Sequence, residues 1–316
     1  MAEAVRGRWR KSGLIFRPEG QGGWMHSHAQ VPTAIMLSDR IRVYFASRPR
    51  QDLSLTGYVD LDPERPERIL ALSERPILDV GTPGAFDEHG IMPATAVRAG
   101  EAIRLYYTGW SRLAGTAPYH NTTGLAISED GGLTFRRFVM GPVLDRTPEE
   151  PFSATLSNVI CVADTWHAHY ASGLGWVDIG GRLEHVYDLR HATSDDGIHW
   201  RRTGEVTVAQ ANPEEAITRP TLVHRPNGEW WMWFCYRTSR DFRSGASGYR
   251  IGFATSSDLV HWNRHDGAAG IDRSPTGWDS QMIAYPCVVQ TQAGLLMFYN
   301  GNDFGRGGFG YAVWEE

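Results

Sequence analysis

The stretch Ser128-Glu-Asp-Gly-Gly-Leu-Thr-Phe135 decides the fold, because the chain contains two further copies of it. The second copy is Ser194-Asp-Asp-Gly-Ile-His-Trp200, and the third is Ser256-Ser-Asp-Leu-Val-His-Trp262. In each copy an apolar run leads into an acidic turn that ends at an aromatic residue. Asp can hydrogen-bond its own backbone and Gly tolerates a positive φ, so both residue types favour a tight turn. Copies spaced 66 and 62 residues apart indicate an internal repeat, which determines the fold before any single motif does.

The composition is typical of a globular protein. Of the 316 residues, 41% are hydrophobic and 21% are charged, which excludes a disordered chain. The net charge of −5 gives no general affinity for nucleic acid. No apolar run approaches the roughly 20 residues that a membrane-spanning helix needs. We therefore predict neither a nucleic-acid partner nor a membrane partner.

The N-terminus and the cysteines predict a cytoplasmic protein. The run Met1–Trp9 lacks the apolar core of a signal peptide. The three cysteines, Cys161, Cys235 and Cys287, are odd in number and lie in apolar, strand-like runs. This pattern is typical of reduced core residues, which the cytoplasm maintains.

The repeat divides the chain into five units of short strands. Each unit has a first strand that often follows or contains a proline, an aromatic-rich second strand, and a third strand. A fourth, outer strand follows in four units, whereas the fifth unit reaches the end of the sequence after its third strand. We predict that the N-terminal run 7–16 supplies this missing strand. The first strands begin near Val31, Met92, Leu156, Arg219 and Tyr285.

Five four-stranded units that close in this way predict an all-β fold, a five-bladed β-propeller. Closure removes sheet edges that would otherwise promote aggregation. Nothing in the sequence indicates a linker or a helix of three turns, so we predict a single domain. Its predicted blades cover residues 24–75, 85–140, 149–205, 213–266 and 278–316, with residues 7–17 completing the last one.

The loops that precede the first strands are expected to converge on one face, since first strands surround the axis of a propeller. His26, Asp87 and Glu214 each lie six residues before a proline, and Asp279 lies seven before one. Equal offsets in repeated units indicate equivalent places, so we expect acids from several blades to share a central pocket. Neighbouring carboxylates with different pKa values suit acid–base or nucleophilic chemistry at the anomeric carbon of a sugar. The predicted catalytic residues are Asp87, Glu150, Glu215 and Asp279.

Further polar and aromatic residues near these loops are predicted to bind the substrate. Arg48 and Arg237 end second strands, and Arg219 opens a first strand. Each arginine either forms a salt bridge with a nearby glutamate or clamps a phosphate or carboxylate. Tryptophans near the same loops could stack on sugar faces; they are Trp24, Trp110, Trp176 and Trp278. The predicted substrate-binding residues are His26, His28, Gln30, Arg48, Glu88, His89, Trp110, Arg219, Arg237 and Tyr285.

Two His-x-His pairs have a spacing that could hold a metal, His26 with His28 and His167 with His169. Residues i and i+2 of a strand share a face, so His167 and His169 are expected to pack and hydrogen-bond within the third unit. The sequence lacks a Gly-rich phosphate loop after a strand, a nucleophile elbow and a Cys-x-x-Cys motif. We predict no metal and no cofactor.

The five-unit pattern resembles the propeller glycoside hydrolases of families 43, 32 and 130. The stretch Ser128–Phe135 also resembles the aspartate-box turn of sialidases. The resemblance covers nearly the whole chain and implies a propeller that acts on glycosides. Family 43 has an Asp directly before a proline in blade one and an Asp just after a proline in blade two, where this chain has Val31 and Ala94. Its glutamate two residues before a proline in blade three matches Glu149.

Three functions remain open from the sequence. The first is a glycoside-hydrolase-like enzyme in which Glu215 or Glu150 is the acid and Asp87 is the base or nucleophile. The second is an isomerase of an activated sugar, such as a non-flavin pyranose–furanose mutase on a nucleotide sugar, which the arginines and the missing blade-one Asp favour. The third is a non-catalytic glycan-binding propeller, which the clustered acids disfavour. All three predict a small sugar or nucleotide sugar as the partner.

Overall fold

The structure is a computed structural model that describes residues 7–49, 53–115, 117–243 and 247–316. Twenty strands of the described chain form five four-stranded antiparallel sheets. This arrangement confirms the predicted five-bladed β-propeller. The described helical segments are α1 (Asn302–Gly305) and a 3₁₀ turn (Asp266–Ala268). Neither is long and apolar enough to cross a membrane.

Each blade runs from an innermost strand at the axis to an outer strand at the rim. The innermost strands are β2 (Ser27–Met36), β6 (Gly90–Ala99), β10 (Ala154–Val162), β14 (Glu215–His224) and β18 (Ala284–Thr291). The second strands are β3 (Ile41–Arg48), β7 (Ala102–Arg112), β11 (Thr165–Ile179), β15 (Trp230–Thr238) and β19 (Gly294–Asn300). The third strands are β4 (Leu55–Leu61), β8 (Tyr119–Ser128), β12 (Arg182–Ser194), β16 (Arg250–Ser256) and β20 (Phe309–Glu315). The outer strands are β5 (Ile69–Leu72), β9 (Arg136–Arg137), β13 (Arg201–Val208), β17 (Asn263–Arg264) and β1 (Arg8–Phe16).

The N-terminal strand closes the ring, as the sequence predicts. Strand β1 pairs antiparallel with β20 and completes the fifth blade. Its Trp9 side chain is buried, with ring centroids 5.2 Å from Trp233 and 5.1 Å from Trp314. Trp233 belongs to β15 of the fourth blade, so this cluster also joins neighbouring blades. Each such aromatic pair adds about 0.5–1.5 kcal/mol beyond the area that it buries.

The repeated acidic turn joins neighbouring blades. In all three copies the central aspartate accepts hydrogen bonds from backbone N–H groups that follow it in the turn, through Asp130, Asp196 and Asp258. These bonds expose a backbone carbonyl to the preceding blade. There Tyr44 donates its hydroxyl to the carbonyl oxygen of Gly132 at 3.0 Å. The turn therefore has a structural role.

Three innermost strands carry a strained bulge where they meet the axis. Val31, Arg219 and Tyr285 have φ angles of 53°, 55° and 56°, and each directly precedes a proline. The pairing register of their strands shifts at these positions. A left-handed conformation costs about 1–3 kcal/mol for such residues, and strain of this kind clusters at functional sites. All three residues line the central cavity.

Candidate active site

A cavity of about 300 Å³ lies at the axis of the propeller. This volume is at the lower end of the range for small-molecule sites, roughly 300–1,000 Å³. Every innermost strand contributes to the wall. The contributing residues include Val31, Pro93, Leu156, Arg219 and Tyr285.

One wall of the cavity comes from an extended hairpin in the third blade. Strands β11 and β12 have 15 and 13 residues, longer than the second and third strands of the other blades. The additional length brings Glu184, His185 and Tyr187 to the cavity. Gly173 allows the hairpin to pass close to the inner loop, because a Cβ atom there would lie 2.5 Å from the Ser153 hydroxyl.

The charged groups of the wall are mainly cationic. Among the described lining residues there are four arginines, Arg48, Arg219, Arg237 and Arg243, and one carboxylate, Glu184. Arg243 donates two parallel hydrogen bonds to Glu184, of 2.8 and 3.0 Å. Cationic groups in a partly enclosed cleft raise the local concentration of anions. The cavity thus favours an anionic ligand.

Arg219 is buried at the axis and has only neutral hydrogen-bond acceptors. Its guanidinium donates to the carbonyl oxygens of Pro93, Ala94 and Pro32 at 3.1, 2.8 and 3.3 Å, and to the Thr33 hydroxyl at 3.1 Å. These bonds tie the fourth blade to the first and second. Burial lowers the pKa of Arg219, but a guanidinium stays charged in proteins. The expected salt bridge to a nearby glutamate is absent from these bonds.

Arg237 is the second buried arginine of the cavity. It is 5% exposed, and it donates to the carbonyl oxygens of His185 at 2.9 Å and Thr238 at 3.3 Å. Its Nε–H group is buried without a hydrogen-bond partner. The guanidinium carbon lies 3.8 Å from the ring centroid of Phe242 and 5.6 Å from that of Tyr187. These contacts fix the orientation of the guanidinium.

A pair of tyrosines adjoins Arg237. The hydroxyl groups of Tyr187 and Tyr249 are hydrogen-bonded to each other. Burial, together with the neighbouring Tyr187 and Tyr285, raises the pKa of Tyr249 well above its ordinary value. Tyr249 therefore stays protonated, and its hydroxyl group can donate a hydrogen bond to the Tyr187 oxygen. Tyr187 is only partly buried and presents the pair to the cavity.

His185 is a neutral member of the wall. Its ring stacks on Trp176 with a centroid distance of 4.4 Å, and its Nε2 atom lies 3.4 Å from the Ser153 hydroxyl. Burial and the nearby Arg237 lower the pKa of His185 to about 3. At neutral pH the ring therefore acts as a hydrogen-bonding and stacking group without a charge.

The four predicted catalytic acids lie elsewhere, which corrects the expectation that they share the central pocket. None of them is among the described residues that line the cavity. Each is at most 4% exposed and pairs with a cation on the outer strand of its own blade. The pairs are Asp87 with Arg137 at 2.8 Å, Glu150 with Arg202 at 2.8 Å, Glu215 with Arg264 at 2.9 Å and Asp279 with Lys11 at 2.7 Å.

These acids belong to a repeated structural arrangement. In three blades a tyrosine 20 residues further on donates to the acid: Tyr107 to Asp87, Tyr170 to Glu150 and Tyr299 to Asp279. The paired cation follows the aromatic end of the acidic turn in the second, third and fourth blades. Such ion pairs connect the inner loop of a blade to its outer strand. A catalytic role for the four acids stays a prediction without support from their position.

Six of the ten predicted substrate-binding residues line the cavity, and four do not. The six are Gln30, Arg48, Trp110, Arg219, Arg237 and Tyr285. Of the other four, His26 is exposed, and Glu88 accepts a hydrogen bond from the Gly84 N–H group at 2.7 Å. His28 forms a hydrogen bond with the Ser27 hydroxyl at 2.9 Å. Burial, and to a smaller extent the positive charges of Arg48 and Arg306, lower the pKa of His28 to about 3. His89 accepts a bond from the Arg112 N–H group at 3.4 Å.

The tryptophans near the loops divide in the same way. Trp110 lines the cavity, and Trp176 lies behind His185. Trp24 is buried and donates to the Glu74 carbonyl oxygen at 3.1 Å, whereas Trp278 stacks on Tyr299 at 5.1 Å. Of these four tryptophans, only Trp110 is therefore placed to stack on a sugar in the cavity.

The sequence interpretation missed Glu184, His185, Tyr187, Arg243 and Tyr249 of the cavity wall. A weak signal for three of them was present, since the interval 173–188 between the second and third strands predicted for the third unit is slightly longer than its counterparts in the other units. An insertion of this kind in a repeated unit indicates a device that the fold alone does not require. The remaining two residues follow the second strand of the fourth blade and carry no comparable signal.

The histidines with metal-like spacing bond to the protein. His167 Nδ1 lies 3.1 Å from His191 Nε2, and His169 Nε2 lies 2.9 Å from the Leu259 carbonyl oxygen. The predicted bonding within the third blade is confirmed for His167, which bonds His191 on the adjacent strand, whereas His169 bonds the acidic turn of the fourth blade. Among the described residues, no group of three or more His, Cys, Asp or Glu side chains has an arrangement that could hold a metal ion.

Comparison with known proteins shows a close family and a wider fold group. No family model matches the chain. The uncharacterized protein Rv1502 of Mycobacterium tuberculosis (strain ATCC 25618 / H37Rv) is 40% identical over 310 residues, which cover 98% of this chain and 99% of that protein. The uncharacterized protein MT1551 of strain CDC 1551 / Oshkosh matches to the same extent.

Several solved structures with the same fold are glycoside hydrolases. One glycoside hydrolase has a TM-score of 0.75 at 16% identity and covers 98% of this chain and 92% of its own. A thermostable family-43 glycoside hydrolase has a TM-score of 0.63 at 14% identity, and the match covers 95% of this chain and 91% of that protein. The Bombyx mori family-32 β-fructofuranosidase has a TM-score of 0.61 at 14% identity, and the match covers 98% of this chain and 62% of that protein. The chain thus has the five-bladed fold of family-43 and family-32 glycoside hydrolases, and it belongs to the same family as the mycobacterial proteins Rv1502 and MT1551.

Proposed function

We propose that this protein is a carbohydrate-active enzyme that acts at the anomeric centre of a sugar in the axial cavity. The observation that carries the proposal is the wall of this cavity, which combines aromatic rings with hydrogen-bonding side chains. Trp110, Tyr187 and Tyr285 offer apolar faces, whereas Gln30 and Ser157 offer polar groups. A sugar has this same combination of an apolar ring face and a polar rim. The likeness of the fold to glycoside hydrolases supports the proposal.

The reaction would depend on groups other than a pair of carboxylates. Most glycosidases place two carboxyl groups roughly 5–10 Å apart on either side of the scissile bond. Glu184 is the one carboxylate among the described lining residues. We assign charge stabilisation or base chemistry to Glu184, and proton transfer or nucleophilic attack to Tyr187. In this role Tyr249 would stabilise the Tyr187 oxygen by donating a hydrogen bond to it.

A second candidate is an isomerase of a nucleotide sugar, and the excess of arginines in the cavity favours it. A sugar hydroxyl that departs as an alkoxide needs a proton from an acid. A departing phosphate is already a stable anion, which arginines can stabilise without proton transfer. A cavity with four guanidinium groups and one carboxylate suits the second kind of departure better.

One experiment separates these functions. The full-length protein is incubated with panels of aryl glycosides and of nucleotide sugars, and NMR follows the products. Release of free sugar supports a glycosidase, and a change of ring size supports the isomerase. Altered ligand spectra without turnover would instead support a glycan-binding propeller. If neither panel is converted or bound, the proposed function is wrong.

Variants of the wall test the assignment of roles. Tyr187→Phe and Glu184→Gln should each lower turnover by about 10²-fold or more, the usual scale for acid–base groups. Tyr58→Phe on β4 and Glu129→Gln at the surface make the same chemical changes away from the cavity. These matched controls should keep full activity. Equal activity in all four variants would contradict the assignment.

A further inference from the structure

We infer that the cavity binds a phosphate or diphosphate group of its substrate, with Arg237 as the principal ligand and Arg219 as a second positive charge. This inference rests on the proposed function and names the substrate class, a sugar that carries a phosphate ester. It begins from a difference between these two arginines and the other buried cations of the fold.

Several other arginines that are buried or partly buried have a carboxylate partner. Arg42, for example, donates to both carboxylate oxygens of Asp60 at 2.7 Å. Arg264 pairs with both Glu215 and Asp266. Arg237 and Arg219 are 5% and 8% exposed, yet their hydrogen bonds go to neutral oxygen atoms.

A buried charge without a counter-charge is unfavourable, and a fold keeps it only if something offsets the cost. Backbone carbonyl oxygens offset part of this cost for both residues. A ligand anion in the same cavity would provide the missing opposite charge. Because both guanidinium groups already have fixed positions, little conformational entropy would be lost when the anion binds.

Arg237 also has a donor available for the ligand. Its Nε–H group has no hydrogen-bond partner, whereas its Nη2 atom donates to the His185 carbonyl oxygen. The stacked Phe242 ring holds the guanidinium plane in place. The adjacent hydroxyl group of Tyr187 can donate to the same anion, since its oxygen can accept a bond from Tyr249. Together these groups form a preorganised binding site for an oxyanion.

The charge count favours phosphate over a sugar carboxylate. Arg243 and Glu184 neutralise each other through two parallel hydrogen bonds. Arg48 is exposed and donates to the Gln30 side chain at 3.3 Å. Arg219 and Arg237 then remain as the buried positive charges of the cavity. A uronic acid brings one negative charge, while a phosphate monoester brings about −1.5 to −2. The dianion matches two guanidinium groups.

Calorimetry on the full-length protein tests this inference. The probes are UDP, inorganic pyrophosphate, inorganic phosphate and glucuronate, each titrated at low and at high salt. We expect UDP and pyrophosphate to bind, with an affinity that falls as salt rises. Tight binding of inorganic phosphate as well would indicate a monoester or free phosphate as the natural source, and its failure would indicate a diphosphate. If glucuronate binds as tightly as the phosphates, or if none of the four binds at millimolar concentration, the inference is wrong.

An arginine variant localises the site. Arg237→Lys keeps the charge but loses the planar donor set, so the Kd for UDP should rise by about 10-fold or more. Arg201→Lys, in an exposed ion pair with Asp195, is the matched control and should leave the Kd unchanged. Circular dichroism and thermal melting check that both variants are folded. If Arg237→Lys does not fold, the result rests on the four probes with the native protein.

The outcomes separate this inference from the proposed function. Turnover of neutral glycosides without any binding of phosphate compounds would contradict the phosphate site and support a sugar enzyme. Binding of UDP that depends on Arg237, without conversion of any sugar, would support the phosphate site and contradict the enzyme. An unchanged Kd for UDP in a folded Arg237→Lys variant would show that the anion binds elsewhere.

Discussion

The substitution Asp87→Asn distinguishes a structural acid from a catalytic one. Asp87 Oδ2 accepts hydrogen bonds from the Tyr107 hydroxyl at 2.9 Å and from Arg137 Nε and Nη2 at 3.0 and 2.8 Å. The side chain of Asp87 is 1% exposed and that of Arg137 is 15% exposed. The amide keeps the size of the carboxylate but removes its charge. Arg137 would then remain as a largely buried cation without a carboxylate partner, bonded to the Asp79 carbonyl oxygen.

The expected loss of stability follows from this burial. Removing one partner of a buried pair costs about 3–5 kcal/mol, and the partial exposure of Arg137 places this case near 3 kcal/mol. For a chain of this size, each kcal/mol lowers the melting temperature by roughly 2–3 °C, so we expect a fall of about 6–9 °C. The free energy of unfolding is measured by urea denaturation, and the melting temperature by calorimetry.

Two further variants serve as controls. Asp195→Asn breaks an ion pair in which both side chains are exposed, and it should leave the melting temperature unchanged. The double variant Asp87→Asn/Arg137→Gln removes both charges, so it should recover part of the loss that Asp87→Asn causes. Turnover at a temperature where the variant is folded should match that of the native protein. An unchanged melting temperature, combined with turnover lowered by about 10²-fold, would refute the structural role and restore Asp87 as a catalytic residue.

Three other predictions concern pH, ring closure and the cavity wall. Burial, with smaller contributions from neighbouring groups, lowers the pKa of His169 to about 3 and of His191 to about 4. Below pH 6.5 the unfolded chain therefore binds more protons than the folded protein, and the free energy of unfolding should fall as the pH drops from 6.5 to 5. Urea denaturation across this range measures that free energy, and a flat profile would contradict neutral, buried histidines. Deleting residues 1–17 removes β1 and should abolish cooperative thermal unfolding, whereas an unchanged melting temperature would contradict ring closure by this strand. Trp110→Ala should raise the KM of a sugar substrate with little change in stability, because Trp110 is partly exposed at the cavity, and an unchanged KM would exclude stacking on its ring.

The propeller was accessible from sequence because its signals are local. The acidic turn requires Asp and Gly within a few residues, and strand periodicity needs only short runs. Three copies of the turn set the spacing of the blades. The role of β1 followed from counting strands, since a ring must close and one strand was missing. Each of these inferences depends on neighbours in the chain or on a simple count.

The composition of the cavity was less accessible because it depends on where side chains point. Asp87 and Asp279 lie six and seven residues before a proline, which predicted a place at the axis, but such an offset also suits an ion pair with an outer strand. Whether an acid faces the axis or pairs with the outer strand depends on cations that lie far from it in sequence. These cations are Arg137, Arg202, Arg264 and Lys11. Only the folded blade brings each cation to its acid.

The sequence by itself determined the repeat, the closed ring and the presence of arginines near the axis. The tertiary structure decided which charges are paired and which remain available. Arg219 lies close to Glu214 and Glu215 in sequence, yet it bonds carbonyl oxygens of two other blades. The physical reason is that local backbone preferences act over a few residues, whereas the pairing of buried charges is settled by contacts between blades and across them. A site assembled from five repeats is therefore specified by packing, even where the repeats themselves can be read from the sequence.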